Sequence, residues 1–179
     1  EYFIGKYPIT NREYQIFVRD TKYKTPQGWD GEQFPVEQGS HPVVNVSWVD
    51  ANTYCKWLSE KTGKNYCLPT EAEWEKAARG IDGNIWPWGN EFDKEKANTV
   101  ESEINDSTVV GQFSPQGDSP YGCVDMIGNV WEWTSTLWGN TWNTPEYVYP
   151  YNAKDGRDEY GTNPNALRIL RGGSFKRNS

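Results

Sequence analysis

One histidine and three cysteines in 179 residues leave little with which to build a transition-metal centre. A single histidine, His41, excludes a site made of several histidines within this chain. Cys55, Cys67 and Cys123 are scattered without metal-ligand spacing, and an odd number of them points to free thiols. Cys55 falls on an apolar helix face and is expected in the core. Basic residues are also short, with 18 Lys and Arg against 25 Asp and Glu and a net charge of −7. Clustered cations are what hold a phosphate backbone, so the charge balance disfavours nucleic acid as the main partner. No apolar run approaches the ~18 residues of a membrane-spanning helix. Internal repeats and low-complexity segments are absent too.

What the chain has instead is rings and turn formers. Its aliphatic content is modest, but 10 Trp, 11 Tyr and 6 Phe supply apolar area. A buried Trp N–H or Tyr O–H needs a partner, so the expected core is aromatic and cross-linked by side-chain hydrogen bonds. The 17 Gly and 11 Pro predict many turns and little long regular structure. The length suits one domain able to bury a core of its own.

Three capping boxes predict three helices. Thr10-Asn-Arg-Glu13 opens the first, with Tyr14, Phe17 and Val18 on one face and an end near Thr21. Ser47-Trp-Val-Asp50 opens the second, where Ala51, Tyr54, Cys55 and Leu58 follow helical spacing up to Gly63. Thr70-Glu-Ala-Glu73 opens the third, with Trp74, Ala77 and Ala78 inward and Gly80 as the stop. Two late strands are expected, Asn129 to Ser135 and Leu167 to Arg171. Residues 22–46, 80–125 and 139–166 read as long loops, the last a polar surface excursion. Loops of that length inside one domain are commonly functional and must be held in place, which bound calcium often does. The start, Glu1-Tyr-Phe-Ile-Gly-Lys-Tyr7, carries no leader pattern and reads as a strand met midway, so an upstream beginning is expected.

The densest segment is Tyr121-Gly-Cys-Val-Asp-Met-Ile-Gly-Asn-Val-Trp-Glu-Trp-Thr134. Calcium takes 6–8 oxygens from carboxylates, amides and carbonyls. Asp125 and Glu132 offer charge, and a turn at Gly128 can aim carbonyls inward. In a strand, Val130 and Glu132 would share one face while Trp131 and Trp133 share the other, one meeting an ion and the other the core. The competing reading is that both acids bond loop amides. His41, before Pro42, reads as a structural hydrogen-bonding residue.

Six segments in order resemble the formylglycine-generating enzyme family, the sulfatase-modifying factors. They are Tyr7-Pro-Ile-Thr-Asn11, His41-Pro-Val-Val-Asn-Val-Ser-Trp48, Leu68-Pro-Thr-Glu-Ala-Glu-Trp-Glu75, Trp86-Pro-Trp-Gly89, Gly128-Asn-Val-Trp-Glu-Trp-Thr134 and Arg171-Gly-Gly-Ser174. The resemblance implies one α+β domain, a loop-rich variant of the C-type lectin fold with small antiparallel sheets. It also implies structural calcium on the Asp125 and Glu132 side chains with the Gly128 and Val130 carbonyls. A second site maps onto Asn98, the Thr99 carbonyl, Ser102 and the Ile104 carbonyl, with Ser102 where some relatives carry Asp.

Enzymes of this family oxidise a substrate cysteine to formylglycine with oxygen, using copper held by two cysteines. The first lies three residues after the Ser of the Arg-Gly-Gly-Ser motif, and here Arg177 stands there. A guanidinium is cationic and cannot ligate copper. The second would fall beyond Ser179. Iron-dependent sulfoxide-synthase relatives use histidines this chain does not have. Other relatives are accessory parts of larger signalling proteins. Still others, the variable proteins of diversity-generating retroelements, use the C-terminal face to bind ligands. The reading favoured here is the last, a calcium-stabilised binding domain, with the oxidase or its iron-dependent relative, and an accessory domain, as alternatives. Arg168, Arg171, Lys176, Arg177 and Asn178 are the expected ligand-binding residues, although such charges are commonly only solvated. Trp138 and Trp142 are candidates for protein or carbohydrate contact. The family's usual closing segment is absent, so the domain is expected to lack its last strands as well as its start.

Overall fold

The computed structural model describes residues 1–159 and 166–178. The end of the 139–166 excursion therefore lies outside the described residues. Three helices form where the capping boxes place them: α1 is Asn11–Thr21, α2 is Trp48–Thr62 and α3 is Glu71–Arg79. Each box is closed in both directions. At α1, Thr10 Oγ1 accepts from Glu13 N at 3.3 Å and Glu13 Oε2 accepts from Thr10 N at 2.8 Å. Replacing Thr10 with Ala should cost about 1 kcal/mol in a denaturant titration, since one orphan N–H at the helix start loses its acceptor. Left-handed residues at Lys22 and Gly63 end α1 and α2.

The inward faces of α1 and α2 build an aromatic core. Phe17 is fully buried, with ring centroids of Tyr14, Tyr23, Tyr54 and Trp57 5.0–5.6 Å away. A second cluster joins Trp74, Ala77 and Ala78 of α3 to Cys123 and Met126. Cys55 is only half-buried rather than inside the core.

Among the described residues the strands are β1, Glu132–Gly139, and β2, Leu167–Arg171, paired antiparallel with Glu132 opposite Arg171. The centre of β1 is polar yet completely buried, and hydrogen bonds make that tolerable. Thr134 Oγ1 donates to Ile169 O, Ser135 N donates to Pro69 O, and Glu71 N donates to Thr136 Oγ1, all at 2.8–2.9 Å. Tryptophan N–H groups tie in the loops, Trp48 Nε1 to Thr134 O and Trp133 Nε1 to Val46 O, both at 3.0 Å. This is the cross-linked aromatic core that the composition predicts.

Two strand expectations need correction. Residues 1–7 form no strand, and their backbone is held by single bonds such as Val124 N to Lys6 O at 2.9 Å. The strand at Asn129 starts three residues late, at Glu132, because Asn129 adopts φ +57° and cannot extend the ladder. As a result Trp131 does not enter the core, and it is 45% exposed.

Candidate cation site and the C-terminal cavity

Between the second cluster and β1 the chain makes a tight turn with left-handed residues at Asp125, Gly128 and Asn129. Such conformations are admitted by Asn, Asp and Gly, so the residue types and the backbone agree. The turn is locked from within. Asn129 is 1% exposed; its Oδ1 accepts from Thr108 N at 3.0 Å and its Nδ2 donates to Asp125 Oδ2 at 3.4 Å. Asp125 Oδ2 also accepts from Gly111 N at 2.9 Å. Glu132 Oε2 accepts from Trp74 Nε1 at 2.6 Å.

Both acids are held above their ordinary range by burial. Burial is the main cause that raises the Asp125 carboxyl above its ordinary range, against the Gly111 and Asn129 bonds that lower it. Burial pushes Glu132 up to about 7, the Trp74 bond opposes this, and the charge of Asp125 raises it further. The charge of Asp125 thus adds to the cost of ionising Glu132, a cost that a nearby positive charge would lower. Among the described residues no three His, Cys, Asp or Glu side chains gather as a metal cluster, so carbonyls must complete any coordination. Two carbonyls of this segment come close together beside Gly172. The position a Cβ would take on Gly172 lies 3.6 Å from Met126 O and 3.8 Å from Val130 O, a small cradle left open by a glycine. Carboxylate and carbonyl oxygens are hard donors, the kind that calcium takes. The approach of Met126 O to this point was not legible in the sequence, because nothing about a methionine marks its carbonyl. Gly128 serves by conformation and close approach: its N–H donates to Gly172 O at 2.8 Å and its backbone bridges Asn98.

That bridge connects the turn to the second candidate. Ser102 Oγ lies 2.7 Å from Thr99 O and 3.3 Å from Asn98 Oδ1, so three of the four named donors converge. Asn98 is oriented by its Nδ2, which donates to Asp106 O at 2.8 Å. The side chain of Ile104 is 40% exposed, and only its carbonyl is relevant to a cation. His41 bonds Ser107 Oγ through Nδ1 at 3.0 Å, the structural role expected for it.

After β2 the chain enters Gly172-Gly173-Ser174, with φ +89° and +75° at the glycines, and the turn lines a cavity of about 230 Å³. Trp74 and Trp86 wall it, and Thr99, Arg171, Arg177 and Asn178 supply polar groups. Of the expected ligand-binding residues, Arg177 and Asn178 are brought here, exposed, and Lys176 is exposed beside them. Arg171 lines the cavity but its terminal nitrogens are committed: it is paired with Glu71 at 3.5 Å and with Glu75, and sits 5.0 Å over the Trp74 ring. Arg168 is a correction. It is 8% exposed, its guanidinium stacks 4.3 Å over Trp48 and donates to Ser135 O. β2 alternates its faces, so Arg168 points into the polar interior of β1 and is a core residue. Trp138 and Trp142 do not line this cavity; Trp138 Nε1 donates to Thr141 O at 3.1 Å, and Trp142 is 74% exposed. Trp74, Trp86 and the Thr99 side chain were missed as cavity residues, since they come from three distant segments.

The chain matches the Sulfatase-modifying factor enzyme 1-like domain over residues 1–179. It belongs to that family. Formylglycine-generating enzyme of Mus musculus is 32% identical over 88% of this chain and 41% of its own length. Inactive C-alpha-formylglycine-generating enzyme 2 of Bos taurus is equally similar, 32% over 74% of this chain and 59% of its own length. Serine/threonine-protein kinase pkn1 of Chlamydia pneumoniae is 31% identical over 98% of this chain, which corresponds to 28% of that protein. This chain thus spans less than two thirds of the length of each of these relatives. Among solved structures, PvdO from Pseudomonas aeruginosa superposes with TM-score 0.70 at 26% identity, covering 97% of this chain and 68% of PvdO. Treponema denticola variable protein 1 superposes with TM-score 0.65 at 24% identity, covering 98% of this chain and 73% of that one, a likeness of fold. The loop-rich α+β architecture is therefore that of the formylglycine-generating type. No helix among the described residues is long and apolar enough to cross a membrane.

Proposed function

We propose that this chain is a calcium-stabilised, non-oxidase binding domain of the sulfatase-modifying factor family, and that its ligand enters the C-terminal cavity. The observation that carries the reading is Arg177. It lines the cavity after Gly173-Ser174, at the position where the family's oxidases place a copper-binding cysteine. No cysteine lines the cavity among the described residues. Cys55 and Cys123 are thiols that burial pushes above their ordinary range, Cys55 to about 11, so neither offers a thiolate. Calcium would be held by Asp125, Glu132 and the Gly128 and Val130 carbonyls, with the Met126 carbonyl close to that of Val130 beside Gly172. It supplies charge that fixes the turn beneath the cavity, and Asn98, Thr99, Ser102 and Ile104 form a second, weaker locus. The similarity to a kinase also fits a domain serving within a larger protein.

The oxidase reading stays in play through the similarity to the mouse enzyme, and one assay separates the two. The copper-loaded protein is incubated with a cysteine-containing sulfatase peptide, and the peptide mass is followed. No conversion above a protein-free control is expected, whereas robust formylglycine formation would overturn the binding reading.

A further inference from the structure

We infer that the C-terminal cavity is built to take a carboxylate, carried by a residue-sized group with a flat apolar body. This inference rests on the cavity being the ligand site, and it adds the ligand's chemistry.

The lining has one polarity. It includes two guanidinium residues, Arg171 and Arg177, and no Asp or Glu among the described residues, in a chain whose net charge is −7. Glu71 and Glu75 are not lining residues, and they engage the two terminal nitrogens of Arg171, Nη1 and Nη2, which leaves its Nε.

Two donors on the lining residues are buried and unpartnered. Thr99 is 2% exposed and its Oγ1 has no hydrogen-bond partner, and neither has Arg171 Nε. Buried polar atoms are normally satisfied, so two orphans on residues that line one cavity are best explained by an acceptor brought in from outside. Ser174 Oγ already accepts from Lys176 N at 3.3 Å, which leaves its own proton to donate. Asn178 adds an amide. Donors in this number around one space match an oxyanion, because bonds to a charged acceptor are about twice as strong as neutral ones.

Size and walls narrow the class. About 230 Å³ is below the roughly 300–1,000 Å³ of sites that enclose a whole small molecule. The space admits one amino-acid-sized group, and Trp74 and Trp86 offer ring surface to its apolar part. Shared chemistry leaves two sources, the terminal carboxylate of a chain and the side chain of an internal Asp or Glu.

The test is an NMR titration of the calcium-loaded, isotope-labelled protein with N-acetylphenylalanine and with its amide, which has the same body without the charge. Shifts at residues 99 and 171–178 are expected with the acid, at an affinity roughly tenfold or more above that of the amide, the size of a lost charge-assisted contact. A peptide with a free C-terminus and an amidated peptide with an internal glutamate then distinguish the sources. Thr99→Val removes an oxygen that bonds nothing, so it should keep the melting temperature while weakening the acid several-fold. Arg177→Glu, at an exposed position, should abolish the preference for the acid. Equal binding of acid and amide, or a preference that survives both variants, would overturn the carboxylate assignment. Neither result touches the binding-domain reading, which falls only if the peptide-oxidation assay turns over.

Discussion

Chelating calcium should lower the melting temperature of this protein by about 5–10 °C, and Glu132→Gln should remove most of the difference. An ion that binds the folded state alone stabilises it by RT ln(1 + [L]/Kd), about 2.7 kcal/mol at a hundredfold excess over Kd. In a domain of this size each kcal/mol is worth roughly 2–4 °C. The effect should also depend on pH with a definite sign. Glu132 sits at about 7 in the folded protein because burial penalises its charge, against an ordinary 4.5. The folded state therefore holds that proton more tightly than the unfolded chain. In chelator, stability should fall as pH rises from about 4.5 through about 7, where the buried group is forced to ionise. Calcium binds the ionised form, so the increment it adds should grow over the same interval. Curves with and without calcium that nearly meet at pH 5 and separate by pH 7.5 are the expected pattern. Curves that coincide throughout would remove calcium from the Asp125–Glu132 turn.

Gly128→Ala should be the most damaging small substitution in the turn, costing about 4 kcal/mol or more in chemical denaturation. The added Cβ would lie 2.2 Å from the Asn98 carbonyl oxygen and 2.7 Å from its carbon, and the residue already sits at φ +78°. A backbone carbonyl cannot swing aside as a side chain does. Moving it would break Asn129 N to Asn98 O at 2.7 Å and disturb Gly128 N to Gly172 O at 2.8 Å. Gly173→Ala is the control. It has a similar φ, +75°, but a Cβ there meets nothing within 4 Å, so only the left-handed penalty of about 1–2 kcal/mol applies. If the two variants lose the same stability, close packing against Asn98 is not what requires a glycine at 128.

The contrast between Arg168 and Arg177 shows where reading the sequence stops. Both are arginines near the end of the chain, and both looked like members of one basic face. Strand alternation and the register Leu137 opposite Arg168 send Arg168 into the interior, where Trp48 and Ser135 take its charge. Arg177 lies past two left-handed glycines and stays exposed at the cavity. No local pattern separates them, because the pairing partner of β2 lies some thirty residues upstream. Asn129 is the opposite case. Its position after Gly128 marks a turn, but its role in gathering Thr108 and Asp125 appears only when those residues are folded around it.

Helix starts were determined by the sequence alone, since a capping box is made of atoms three residues apart and needs no tertiary partner. So were the second strand, the aromatic character of the core and the absence of a thiol at Arg177. Only the tertiary structure decided which polar atoms lie buried without partners and which carbonyls meet beside Gly172. It alone brought Trp74, Trp86, Thr99 and Arg171 around one cavity. Those facts depend on distances between segments far apart in the chain, and such distances are set by packing and not by spacing.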